Sequence, residues 1–156
     1  MRRRRLLTFF SSLLISGLLL TSGIAEPLQN PELSDSLWGA VRSTAERYLG
    51  RPYVWGAVGL KSFDCSGFIW RVMFENGILI KRTTARKLYM SLPRIPKGGS
   101  CDSGALVFFN NLKHVGLVND RDSFYHAQVS MGTNLSAFDP YWRRKICGFR
   151  RLPIGS

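Results

Sequence analysis

Phe63-Asp64-Cys65-Ser66-Gly67, running without a break into Phe68-Ile69-Trp70-Arg71-Val72-Met73-Phe74-Glu75-Asn76, is the stretch that decides the fold of this 156-residue chain. Small and polar residues lead into apolar positions at Ile69, Val72 and Met73, a helical spacing, and Gly77 supplies the stop. The pattern predicts a helix from Cys65 with Asp64 as its N-cap. Cys65 then lies in the first turn, where free backbone N–H groups and the positive end of the helix dipole favour a thiolate. A thiol so placed is a candidate nucleophile; the alternative is an inert buried cysteine.

Moving outward from this elbow, Leu37, Val41, Ala45 and Tyr48 recur at helical spacing behind a cap at Ser34-Asp35-Ser36, until Gly50 and Pro52 break the pattern. That is a first predicted helix. Ahead of it, residues 26–35 form a lead whose Glu26–Leu33 stretch, with Pro27 and Pro31, reads as extended. On the other side, Thr83-Thr84 can cap a third, shorter helix from Ala85 to about Met90, ended by Pro93 and Pro96. Past Gly98-Gly99 the apolar runs shorten. Ala105–Phe109, His114–Val118, Ser123–Val129 and Lys145–Leu152 read as strands, and the Gly/Asn/Pro-rich Ser130–Tyr141 as loop with room for one short strand. Helices first and strands after predict an α+β domain, residues 36–156, with N-terminal helices packed on one side of an antiparallel sheet.

Composition fits one core: 45% of residues are hydrophobic and 21% charged. Residues 1–25 stand apart. Arg2–Arg5 make a positive n-region, Leu6–Leu20 an uncharged apolar stretch, and Gly23-Ile24-Ala25 a small-residue cleavage site. This is the pattern of a secretory signal peptide, with an uncleaved anchor as the alternative. Removing it takes away four arginines and no acid, so the formal charge falls from +12 to +8. A basic exported chain suits nucleic acid, anionic lipid or an anionic wall polymer, and net charge does not choose among them. Three cysteines in an oxidising compartment leave at least one free or paired between molecules. If Cys65 is reactive, Cys101 and Cys147 remain as a disulfide or as two buried small side chains. No Cys-x-x-Cys or His/Cys spacing suggests zinc.

A cysteine nucleophile needs a base, and the chain has two histidines, His114 and His126. Both fall on a predicted hairpin. Side chains alternate along strands, so an odd-length loop centred on Asp120 sets the two rings opposite each other on one face, whereas a two-residue turn separates them. Either histidine could take the thiol proton while the other orients it, with helix-start N–H groups receiving an oxyanion. Each could equally be a hydrogen-bonded structural residue.

Five segments in order carry a resemblance: Tyr48–Gly56 (Tyr-Leu-Gly-Arg-Pro-Tyr-Val-Trp-Gly), Phe63–Gly67, Leu106–Phe109, His114–Val118 and Phe124–Ala127. Together they resemble the NlpC/P60 cell-wall cysteine peptidases over residues 36–152. The resemblance implies a papain-like α+β fold, with Cys65 as nucleophile, His114 as base and His126 as the third polar residue that orients it. It matches Tyr53 to a tyrosine that lines the site and helps bind substrate or oxyanion, and Asp64 and Ser66 to substrate contacts beside the nucleophile; Trp55 is expected to pack beneath the catalytic helix. The implied reaction is hydrolysis of amide bonds in peptidoglycan stem peptides, γ-D-glutamyl-diamino acid or D-alanyl-diaminopimelate, in the periplasm or outside the cell. No cofactor, metal, nucleic-acid partner or lasting membrane insertion is expected. An amidase or acyltransferase using the same thiol, or a non-catalytic wall-binding module, are the alternatives. The chain departs from the family pattern at Gly56-Ala57, where Gly-Gly is frequent, and at Ser103-Gly104-Ala105, where Pro-Gly-Asp is usual.

Overall fold

The structure, a computed structural model, describes residues 31–95 and 102–153. The expected signal segment (residues 1–25), residues 26–30 of the lead, and Cys101 with its half of the considered disulfide lie outside the described residues. Helix α1 (Pro31–Arg47) starts ahead of the expected cap. Proline suits a first helical position, where its missing N–H has no intrahelical partner in any case, so the stretch from Pro31, expected to be extended, is helical. Helix α2 (Cys65–Glu75) begins where the elbow predicts, with the Asp64 carboxylate accepting from the N–H of Gly67, and Gly77 beyond its end takes φ +70°. Helix α3 (Ala85–Ser91) is capped by Thr84, whose hydroxyl accepts from the N–H of Lys87.

The strands are β1 (Leu106–Phe109), β2 (His114–Val118), β3 (Ser123–Gln128), β4 (Gly132–Ala137) and β5 (Ile146–Arg150). They form one sheet in the order β4-β3-β2-β1-β5, with every pairing antiparallel. The segment read as mostly loop instead contributes all six residues of β4 and a single helical turn, α4 (Pro140–Arg143), capped by Asp139.

Alternation along the strands divides the core. Phe108, Val115, Leu117 and Ala127 meet Phe68, Ile69, Val72 and Met73 of α2 on one face. Val107, Phe109, Val118, Phe124 and Phe138 occupy the other, closed by Trp142 and Phe149. The helices thus cover one face as predicted, while the second is sealed by the chain around α4. Burying each large apolar side chain contributes about 1.5–3 kcal/mol. Among the described residues no helix is long and apolar enough to cross a membrane.

The elbow leaves no room at Gly67, where an added Cβ would lie 2.1 Å from the carbonyl oxygen of Ala57. That contact is with backbone, which cannot swing aside. Gly67→Ala is expected to cost about 3 kcal/mol, read as a lowered urea midpoint at unchanged slope. A loss below about 0.5 kcal/mol would mean that the 51–64 segment yields easily.

Candidate active site

Cys65 sits in the first turn of α2, only 7% exposed. Its Sγ lies 3.9 Å from the carbonyl oxygen of Lys113, and the backbone N–H groups of Val115 and Ser66 point at it. The thiol therefore meets β2 edge-on, against the backbone on both sides of His114. Burial pushes the Cys65 thiol up, as does the charge of Asp64, against the lowering by those N–H groups. The helix start alone would favour a thiolate; in the folded chain desolvation wins, and the resting group is a neutral thiol.

The segment that delivers Lys113 and His114 is unusual. Asn110, Asn111 and Leu112 all have positive φ, 53°, 53° and 66°, closed by a bond from the Lys113 N–H to the Asn110 carbonyl at 3.1 Å. Asparagine tolerates this region; leucine does so only where its surroundings hold it, and Leu112 packs against the core beside the thiol.

The two histidines come together. His114 Nε2 and His126 Nδ1 are 2.8 Å apart, and the rings meet edge to face with centroids 5.1 Å apart. The loop is odd in length, as their pairing requires, but its centre is Arg121 rather than Asp120. The register pairs Gly116 with His126 and Val118 with Phe124, so His114 and His126 are diagonal neighbours on one face, still within side-chain reach. Asp120 opens the turn instead of topping it: its carboxylate accepts from the N–H of Asp122 at 2.8 Å and the hydroxyl of Ser123 at 2.7 Å.

Both imidazoles lie on the sheet face that carries Phe109 and Phe124. Trp142 of α4 stacks on His114, 5.7 Å between centroids at 23°, and stands edge-on to His126 at 5.0 Å. This aromatic cover strips water from the pair. Burial lowers His114 to about 4, and burial together with the charge of His114 lowers His126 to about 3. Both rings are neutral at pH 7.

Asp64 and Ser66 flank the thiol in a closed network. Asp64 Oδ1 accepts from the Gly67 N–H and, at 3.0 Å, from the Ser66 hydroxyl. Its Oδ2 accepts from the Gly56 N–H and from Arg82 Nη2, each at 2.9 Å. Arg82 also donates to Ser66 Oγ at 2.9 Å. The carboxylate is fully used in capping the helix and tying down the 51–64 segment. Nothing in the sequence singles out Arg82 beyond a basic pair with Lys81; the one available cue is that a buried acid at an N-cap needs a cation. Trp142 carries no cue of its own.

A cleft of about 190 Å³ opens at Cys65, walled by Tyr53, Trp55, Arg82, Leu112 and Lys113. Tyr53 is half-buried, and its hydroxyl is raised chiefly by burial, with Asp64 and the ionised form of Cys65 adding to it. Trp55 corrects an expectation: it does not pack beneath α2 but stands 84% exposed at the cleft mouth. Cys147 is exposed with a free thiol. Among the described residues no group of three or more His, Cys, Asp or Glu side chains could hold a metal ion.

A family model, that of the NlpC/P60 family, matches residues 50–151, the segment that holds the capped thiol and the histidine pair. This chain belongs to the NlpC/P60 family. Over 115 residues it is 34% identical to the probable peptidoglycan endopeptidase LytE of Bacillus subtilis, covering 70% of this chain and 33% of that one. A probable endopeptidase of Haemophilus influenzae is 30% identical over 112 residues, covering 67% of this chain and 68% of the relative. Among solved structures, a Staphylococcus aureus protein described as similar to lipoprotein, NLP/P60 family, superposes with a TM-score of 0.67 at 30% identity, covering 76% of this chain and 42% of that one. The chain thus spans about a third of the length of LytE. The papain-like α+β architecture of NlpC/P60 domains is the one found here, an antiparallel sheet with the Cys65 helix packed across it.

Proposed function

We propose that this NlpC/P60 chain is an exported peptidoglycan hydrolase that cuts stem-peptide amide bonds with Cys65 as nucleophile and His114 as base. The observations that carry the reading are the 2.8 Å contact between His114 Nε2 and His126 Nδ1 and the 3.9 Å approach of the Cys65 thiol to the carbonyl of Lys113, the residue next to His114. Because His126 occupies Nε2, Nδ1 of His114 is the nitrogen that takes the thiol proton. Sγ attacks the amide carbon, and the oxyanion is received by N–H groups at the start of α2. The imidazolium returns the proton to the leaving amine as the C–N bond breaks, giving a thioester. Water, deprotonated by the same nitrogen, then cleaves the thioester and regenerates the thiol. Tyr53 lines the cleft where the scissile bond would lie, and Asp64 and Ser66 act by holding the elbow in place.

The name of LytE supports the substrate class, and the signal pattern of residues 1–25 supports action in the periplasm or beyond, by a domain at residues 36–156 behind the 26–35 lead. The scissile bond is γ-D-glutamyl-diamino acid or D-alanyl-diaminopimelate. The test is incubation of the purified protein, wild type and Cys65→Ala, with whole peptidoglycan, and mass spectrometry of the released fragments. New peptide termini produced equally by both proteins would end this reading.

A neutral thiol and a neutral imidazole make the acid limb diagnostic. Protonating His114 removes the base, so activity is held above its folded-state value and lost as pH falls through about 4. A kcat/KM profile on a soluble stem peptide is expected to stay flat from pH 7 to 5 and to fall below. A limb centred near 6.5, the value of a solvated histidine, would contradict the buried, neutral pair.

A further inference from the structure

Asn134 and Ser136 of β4 have no part in the reaction set out above, yet they end a continuous line of hydrogen bonds that starts at His114. His126 Nε2 lies 2.8 Å from Ser136 Oγ, and Ser136 Oγ 2.9 Å from Asn134 Oδ1. Matching donors to acceptors gives this line one direction. Asn134 Nδ2–H donates to the Gly132 carbonyl at 3.0 Å, which turns Oδ1 toward Ser136. Oδ1 carries no proton, so the Ser136 hydroxyl donates to it, and Oγ is left to accept from His126. His126 therefore bears its proton on Nε2. A neutral imidazole holds a single N–H, so His126 Nδ1 is bare and accepts from His114 Nε2–H, which leaves His114 Nδ1 bare.

The reverse direction fails on one contact. It would set the lone pairs of Ser136 Oγ and Asn134 Oδ1 against each other with no proton between them. His126 is 0% exposed, so bulk solvent does not relieve the mismatch. Burial keeps both rings neutral, and only neutral rings have a tautomer to select.

We propose that Asn134 and Ser136 are positioning residues that select the tautomer of both imidazoles and so keep His114 Nδ1 open to the Cys65 proton. The proposal rests on the reading of Cys65 as nucleophile and His114 as base. The chain has two histidines, both in this line, so the histidine ring ¹⁵N–¹H spectrum of the ¹⁵N-labelled protein reports on the site alone. In the wild type both rings are expected as Nε2–H. Ser136→Ala should turn both rings into a mixture with Nδ1–H and lower kcat about tenfold with KM within about twofold. Ser136→Thr, which keeps the hydroxyl, should keep the wild-type spectrum. Asn134→Ala, on the edge strand, gives the same readout should Ser136→Ala fail to fold.

Nδ1–H on either ring of the wild type, or an unchanged ring spectrum in a folded Ser136→Ala, would overturn the proposal. The spectrum needs no substrate, which separates the two failures. Hydrolysis retained by Cys65→Ala would end the nucleophile reading without touching the rings. Hydrolysis lost in Cys65→Ala with unchanged rings in Ser136→Ala would end this proposal alone.

Discussion

Cys65→Ser is expected to lower the release of peptide fragments from peptidoglycan by about 10⁴-fold or more while leaving the fold intact. Serine is a good residue at a helix start, and the 7% exposed position accepts an oxygen for a sulfur with little change in volume. The chemistry does not survive the exchange. Burial already holds the Cys65 thiol above its ordinary value, so in the proposed mechanism attack depends on transfer of its proton to His114 as the C–S bond forms. A serine hydroxyl is several powers of ten less acidic than a thiol, and an imidazole held near 4 is too weak a base to make up that difference. Thermal unfolding and fragment release measured on the same preparation decide the matter. More than about a tenth of wild-type turnover in a Cys65→Ser protein, with no contaminating hydrolase in a Cys65→Ala control, would remove Cys65 from the mechanism.

His114→Ala and His126→Ala are expected to separate activity from stability in opposite senses. Loss of the proposed base at His114 should reduce kcat about 10³-fold, with a modest change in unfolding midpoint because the residue stands at the very start of β2 and is less completely enclosed than His126. His126 is one step removed from the thiol, so His126→Ala should reduce kcat by about tenfold to a hundredfold. It should cost more in stability, about 2–4 kcal/mol, because it empties a fully buried site among Phe124, Trp142 and His114 and strands the Ser136 hydroxyl. Equal or reversed losses of kcat would exchange the two roles.

Much of this is local physics and readable from the chain. Asp64, Gly67 and Gly77 specify where α2 begins and ends because capping acts over a few residues, and Thr84 does the same for α3. Strand β4 was hidden for a reason that belongs to the site. Opposite His126 and Phe124 it places Asn134 and Ser136, polar groups that terminate the hydrogen-bond line, and they erase the apolar alternation by which a strand is recognised. A loop centred on Asp120 puts the hairpin register two residues from the one found, because Asp120 suits the head of the turn as well as its top. Bonds to Asp122 and Ser123 settle that, and they exist only once the turn has closed.

By itself, then, the sequence determined the helix that carries Cys65, the α+β order of elements, the two histidines available to it and, through its motif order, the NlpC/P60 family. Only the tertiary structure decided the state of the site. Desolvation under Trp142 and against the sheet makes the histidines neutral, and the Cys65 thiol with them, where helix-start electrostatics alone favour charge. Arg82 reaches Asp64 from 18 residues away, and Trp55 swings out to the cleft mouth instead of under the helix. Each of these depends on which groups lose water and which meet across the fold, and that is set by long-range packing, where spacing along the chain carries no information.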